Sequence, residues 1–261
     1  MMEKEYSEKL LLFSKIIKLS MKVSRLAGGR IAESDKITWA CILNTKICVT
    51  GTSLFILTPE SDITTKKIAH WDFSTMFTLA RNIMECYQTM FYLCIDNVTE
   101  EELFARKKLF NLHDYYSRKK LFSFTTEKEE DIEIEKTVIQ ELSETAYFKN
   151  LEEKQQKHFL KGENSFFVNR EDIEEKMGND KNEFKFLYKL FSSNTHSFPM
   201  GFFGMLDGTR GTGMKSEVEI HYSGLALDVA GGYIKESTKN ILSFFGDIND
   251  LLTKEEKQQL E

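Results

Sequence analysis

The chain has 261 residues, 41% of them apolar and 29% charged, with a net charge of −6. That length can bury a core without disulfide or metal staples, the composition excludes a disordered chain, and the net acidity excludes a global electrostatic footprint for nucleic acid. With two prolines, Pro59 and Pro199, the chain also lacks the turn punctuation of all-β and loop-rich proteins, so long helices are expected.

The first predicted helix is amphipathic, spans 3–27, and is closed by Gly28 and Gly29 as a C-cap. Its opening, "MMEKEYSEKLLLF", carries charges before and through its apolar residues, which is not the pattern of a secretory signal. A second helix runs from about 37 to 57 and stops before Pro59. The window "ITWACILNTKICVTGTSLFIL" is the most apolar of the chain, yet Lys46 and several threonines interrupt it, so it reads as a buried helix rather than a membrane span. Helices follow at 72–95 and about 99–122. A charged stretch, 127–161, reads as helical with a break near Asn150. A short helix at 170–177 ends at Gly178, and another covers 181–197. The last long helix is expected at 222–246, with a charged tail helix near 253–260. Cys41, Cys48, Cys86 and Cys94 form no C-x-x-C pair and lie in apolar helical stretches, so they read as small buried hydrophobes in a reducing compartment.

These elements predict an all-α protein, a single multi-helix bundle of about seven to nine helices. The expected organisation is one domain over 1–261: an N-terminal helical pair at 1–60, a core bundle at 70–247 and a charged tail at 250–261. Between Pro199 and Lys215, "PMGFFGMLDGTRGTGMK" concentrates five of the 14 glycines and is expected to be a loop before the last long helix. Its "GTRGTGMKS" is not a phosphate-cradling P-loop, because Met214 stands where the lysine must follow the last glycine and no strand precedes it.

Helical periodicity singles out two polar stripes. On 72–95 a broad apolar face runs from Phe73 to Cys94, flanked by Arg81 and Glu85. On 181–197 Phe184, Leu187, Leu190 and Phe191 make the apolar face, bordered by Tyr188, Ser192 and His196 at i, i+4 and i+8. If the two helices pack together, a cation, a carboxylate, an imidazole and two hydroxyls meet at one border. Such a set can hold a phosphate or carboxylate through arginine and move protons through histidine. The same residues also read as a structural network, an i,i+4 ion pair and a histidine at a helix C-terminus. A separate basic run, "ARKKLFNLHDYYSRKKLF", places Arg106, Lys107, Lys108, Arg118, Lys119 and Lys120 around His113; it is either a solvated helix face or a nucleic-acid surface.

R-x-x-x-E in "LARNIMECYQTMFYL", followed about a hundred residues later by Y-x-x-x-S-x-x-x-H in "LYKLFSSNTHSF", resembles a family of bacterial all-helical proteins known as a domain of unknown function. The resemblance covers roughly residues 70 to 245. Members of that family look like distant relatives of abortive-infection and HEPN proteins, many of which are ribonucleases of toxin and phage-defence systems. The resemblance implies a cytoplasmic helical effector acting on RNA, often as a homodimer, with His196, Arg81, Glu85, Tyr188 and Ser192 as candidate catalytic residues. The HEPN ribonuclease motif itself, Arg followed after a short spacer by His, is matched at Arg106 and His113. There the histidine would be acid or base, the arginine would hold the phosphate, and the RNA 2′-hydroxyl would be the nucleophile; Lys107 departs from the polar residue usual after the arginine.

No metal or other cofactor is expected. The residues three before His70, His113, His158, His196 and His221 are Lys67, Phe110, Gln155, Ser193 and Val218, so no Glu-x-x-His pair of a di-iron bundle exists, and G-x-S-x-G, H-E-x-x-H and a dinucleotide fingerprint are missing too. Two classes remain: an RNA-directed helical effector, or a non-catalytic binding module whose polar stripe holds helices in register.

Overall fold

The computed structural model describes residues 2–63, 69–122, 129–196, 198–206, 208 and 210–261, without the side chains of 129–132. The expected helix start at 127 and 128, Ser197 at the end of the predicted 181–197 helix, and Asp207 and Thr209 of the glycine-rich stretch lie outside the described residues. The architecture is all-α; the described residues hold thirteen α-helices, more than the seven to nine expected, and one π-helical turn. Most of the surplus comes from short helices: the 127–161 stretch breaks into three at Thr145 and again before Glu153, and Pro199 opens a helix inside the glycine-rich stretch.

Two compact units form, one from 1–95 with 177–261 and the other from 96–176. The N-terminal pair read at 1–60 and the last long helix thus share one unit, and an inserted helical unit separates the two halves of that unit in sequence. The first unit contains α1 (Met2–Ala27), α2 (Asp35–Leu57), α3 (Phe73–Met90), α9 (Lys181–Thr195), α10 (Pro199–Met205), α11 (Glu217–Phe244), α12 (Gly246–Asp250) and α13 (Lys254–Gln258). The second contains α4 (Glu100–Leu121), α5 (Glu129–Glu144), α6 (Ala146–Lys149), α7 (Glu153–Phe159) and α8 (Arg170–Lys176).

In the first unit α11 packs along α1 and α3, and α2 lies against all three. The chain begins α2 at Ser34, whose hydroxyl accepts the Ile37 N–H. The close approach at its centre needs Gly51, where a Cβ would stand 2.8 Å from the Cδ1 atoms of both Ile17 and Ile234. Helix α2 is long and apolar enough, by length and composition, to cross a membrane. It buries Ala40, Ile47, Leu54 and Phe55 within the unit and leaves Ile42 and Val49 exposed, so it is buried on one face rather than all round. The periodic apolar face of α3 is buried from Phe73 to Met90 and runs on into the π-helical turn at Phe91–Ile95. Phe77 of α3 stacks on Phe191 of α9 with ring centroids 4.4 Å apart. That contact sets the register in which the two polar stripes face each other. The second unit has its own core of Leu109, Leu112, Leu142, Phe148 and Phe159.

Candidate functional site

Asp72 caps α3 by accepting the Thr75 N–H at 3.0 Å, and Asp180 caps α9 by accepting the N–H groups of Asn182 and Glu183 at 2.8 Å each. With both helices started there, and Phe77 and Phe191 buried between them, Arg81 reaches across to α9. Its Nε donates to Glu85 Oε1 at 2.9 Å, its Nη2 to the Tyr188 hydroxyl at 2.7 Å, and its Nη1 to Ser192 Oγ at 3.2 Å. His196 Nε2 lies 3.3 Å from the same Nη1. The Tyr188 hydroxyl donates in turn to Glu85 Oε1 at 2.9 Å, and its ring lies 4.5 Å under the guanidinium carbon. The other four residues read from the two stripes therefore converge on the Arg81 guanidinium. Below them Thr78 and Thr195 bring their hydroxyls to 3.0 Å, and Ser74 donates to the Asn194 carbonyl at 3.1 Å, extending the polar seam along the helix pair.

The electrostatics follow from partial burial. The Arg81 side chain is 19% exposed. Burial works against its charge, but the Glu85 carboxylate and Tyr188 outweigh it, so the guanidinium is held more firmly protonated than a free arginine. His196 sits at the C-cap of α9 and is exposed. Its Nε2 accepts from Arg81 when the imidazole is neutral, which leaves the proton on Nδ1. The arrangement presents a fixed cation and a proton-transfer group side by side at the surface.

The basic run behaves differently from the sequence expectation. Arg106 is 1% exposed and donates to Glu102 Oε1 at 3.0 and 2.6 Å and to Asp96 Oδ2 at 2.8 Å, while Lys176 approaches the same Asp96 oxygen at 3.0 Å. Buried and held by these two carboxylates, its guanidinium is turned away from solvent. His113 instead pairs through Nδ1 with the Gly162 carbonyl at 2.9 Å. Lys108 bonds Glu141, Arg118 bonds Asp114 and Lys119 bonds Glu135, so acidic residues of α4 and α5 neutralise much of the run; Lys107 is half-buried and Lys120 is exposed. A charge run on one helix does not reveal which acids its neighbours bring.

Glu219 was missed, although "SEVE" carries the S-x-x-E signature of a helix start. It is fully buried, and instead of returning to Ser216 its Oε1 accepts the Gly211 N–H at 2.7 Å, while Oε2 has no hydrogen-bond partner among the described residues. Burial raises its carboxyl above the ordinary range, opposed in part by the N–H groups of Gly211 and Phe73. This tie holds the glycine-rich stretch to α11, and the Trp71 N–H donating to the Gly213 carbonyl at 3.1 Å holds it to the entry of α3. Among the described residues no group of three His, Cys, Asp or Glu side chains is placed to hold a metal.

Fold and site together define an all-helical protein built around an Arg-centred polar seam. The chain belongs to the family of unknown function DUF5677, whose model matches residues 38–213 and so includes Arg81, Glu85, Tyr188, Ser192 and His196. No curated protein and no solved structure matches it.

Proposed function

We propose that this seam is an acid–base site acting on a phosphodiester, with RNA as the substrate. One observation carries the reading: His196 Nε2 stands 3.3 Å from Arg81 Nη1 while the imidazole is exposed, so a substrate phosphate that reaches the guanidinium also reaches the base. Arg81, held by Glu85 and Tyr188, offsets charge on the non-bridging oxygens. As the phosphate takes up the Nη1 donor, His196 Nε2 is released and takes the proton of the RNA 2′-hydroxyl while the O2′–P bond forms and the P–O5′ bond breaks. The 5′-oxygen takes a proton from water, giving a 2′,3′-cyclic phosphate and a 5′-hydroxyl, and His196 returns its proton to solvent.

A second reading is favoured by how heavily Arg81 is engaged, four of its five N–H donors meeting protein side chains: the seam is then a non-catalytic clamp between α3 and α9. His196→Ala separates the two. On the catalytic reading the full chain cleaves single-stranded RNA to cyclic-phosphate ends in the presence of EDTA, and the variant loses about 10²- to 10⁴-fold while melting within a few degrees of wild type. An unfolding temperature that falls sharply, with no cleavage to lose in the wild type, establishes the clamp.

A further inference from the structure

The face of α9 that bears the site continues toward the helix N-terminus. Lys185 lies three residues before Tyr188 and seven before Ser192, and Lys189 lies three before Ser192 and seven before His196, so both belong to the same stripe. Both are exposed, and neither has an ion pair among the described residues, unlike Lys108, Arg118 and Lys119 of α4. Glu183, the acidic residue of this helix, points away from the stripe by the same periodicity.

Past the site the chain turns at Phe198 into α10. The Phe198 N–H donates to the Ser193 carbonyl at 3.1 Å. A Cβ at Gly201 would come within 2.7 Å of that same oxygen, so glycine is what lets α10 lie directly on the end of α9. Phe198, Phe202 and Phe203 are left 52%, 48% and 62% exposed. The Phe198 ring is 5.4 Å from that of His196, and the rings of Phe202 and Phe203 are 5.4 Å apart. Met200 and Leu206 are exposed on the same short segment. Clustered apolar surface of this kind marks an interaction site.

Along α9 and into α10 the surface therefore presents exposed cations, then the Arg81–His196 pair, then exposed aromatic rings. We propose that this surface binds a single strand of RNA, with backbone phosphates on Lys185 and Lys189, the reacting phosphate at Arg81 and His196, and bases stacked on Phe198, Phe202 and Phe203. Lysines four apart on a helix are about 6 Å apart along its axis, a spacing suited to successive phosphates of an extended strand. Flat apolar rings beside a cationic track match a ligand that carries a π-face on every repeat of a polyanion. A duplex keeps its bases stacked inside and leaves the rings uncovered. The proposal rests on the seam being the reaction centre, and binding can be read apart from reaction.

The test uses the full chain and a labelled 2′-O-methyl RNA single strand, which lacks the nucleophile and cannot be cleaved, with fluorescence anisotropy over a salt series. The single strand is expected to bind at least tenfold more tightly than a hairpin duplex of equal length. Lys185→Gln with Lys189→Gln should lower the slope of log affinity against log salt by about 1.4, from roughly 0.7 per phosphate contact on a single strand. Phe202→Ala with Phe203→Ala should weaken binding about tenfold or more and leave the slope alone. Equal binding of the duplex, or wild-type binding by both double variants, overturns the proposal. So does binding of anionic phospholipid vesicles that the phenylalanine variants abolish when the single strand does not bind. If His196→Ala removes cleavage while both double variants bind as wild type, the surface is wrong and the reaction stands. Binding as described with no cleavage by the wild type gives the reverse.

Discussion

Replacing Arg106 with methionine tests how the second unit is held together. The side chain is 1% exposed, and its two carboxylate partners are themselves mostly covered, Asp96 at 12% and Glu102 at 22% exposed. Methionine keeps much of the buried stem but leaves Glu102 without its cation and Asp96 with Lys176 alone. Removing one partner of a buried ion pair costs about 3–5 kcal/mol, because the uncompensated charge stays behind. At about 2–4 °C per kcal/mol for a chain of this size, that is a fall of roughly 6–20 °C. The matching assays are thermal unfolding by circular dichroism and hydrogen exchange of the α4 amides around Leu109 and Leu112. The penalty should depend on pH. Burial pushes the Asp96 carboxyl up, but the hydrogen bonds from Lys176 and Arg106 overcome it and the net shift is downward. A lowered carboxylate contributes stability above its unfolded pKa, near 3.9, and loses it as pH falls through the folded value. The gap between wild type and Arg106→Met should therefore be widest near neutrality and narrow toward pH 3. A penalty below about 1 kcal/mol, or a gap that does not move with pH, would refute the buried-hub account. Loss of RNA cleavage at unchanged stability would return Arg106 to the site it was expected to serve.

Glu219→Gln should act in the opposite pH sense. A carboxyl raised by burial contributes stability below its unfolded value that is lost as pH rises through the folded one. The glutamine variant, which keeps an oxygen for the Gly211 N–H, should gain in melting temperature relative to wild type between pH 4.5 and pH 7.5, and a difference that stays flat over that range argues against a raised carboxyl. Gly162 adopts φ +68°, and a Cβ there would stand 2.0 Å from the Tyr116 ring. Gly162→Ala should cost about 2 kcal/mol or more through backbone strain and displacement of Tyr116 from Glu135, which it bonds at 2.7 Å; a change within 0.5 kcal/mol, the range of an ordinary surface substitution, would show that the turn relaxes freely.

Helix positions were legible because they depend on local periodicity and on scarce proline. The starts of α2 at Ser34 and α9 at Asp180 follow the same local logic, since each cap satisfies N–H groups within three residues of itself. Helix α11 begins five residues earlier than the expected 222, at the Ser216 cap, and α10 occupies part of a stretch read as loop. In the first case the S-x-x-E of Ser216–Glu219 marks the start locally. In the second, Pro199 at the first helical turn supports a short helix that glycine content argues against.

The candidate site was legible in halves. Tyr188, Ser192 and His196 share a face by spacing, as Arg81 and Glu85 do, and the sequence alone determines both stripes because each is a property of one helix. What joins them is the stacking of Phe77 on Phe191, more than a hundred residues apart in sequence, which puts one guanidinium within reach of four side chains. Tertiary structure also decided which charges face water: Arg106 is buried by Asp96 and Glu102, while Lys185 and Lys189 are exposed with no ion pair among the described residues. A side chain's residue type sets what it can do, but its burial and its partners come from other helices, and no local pattern encodes them.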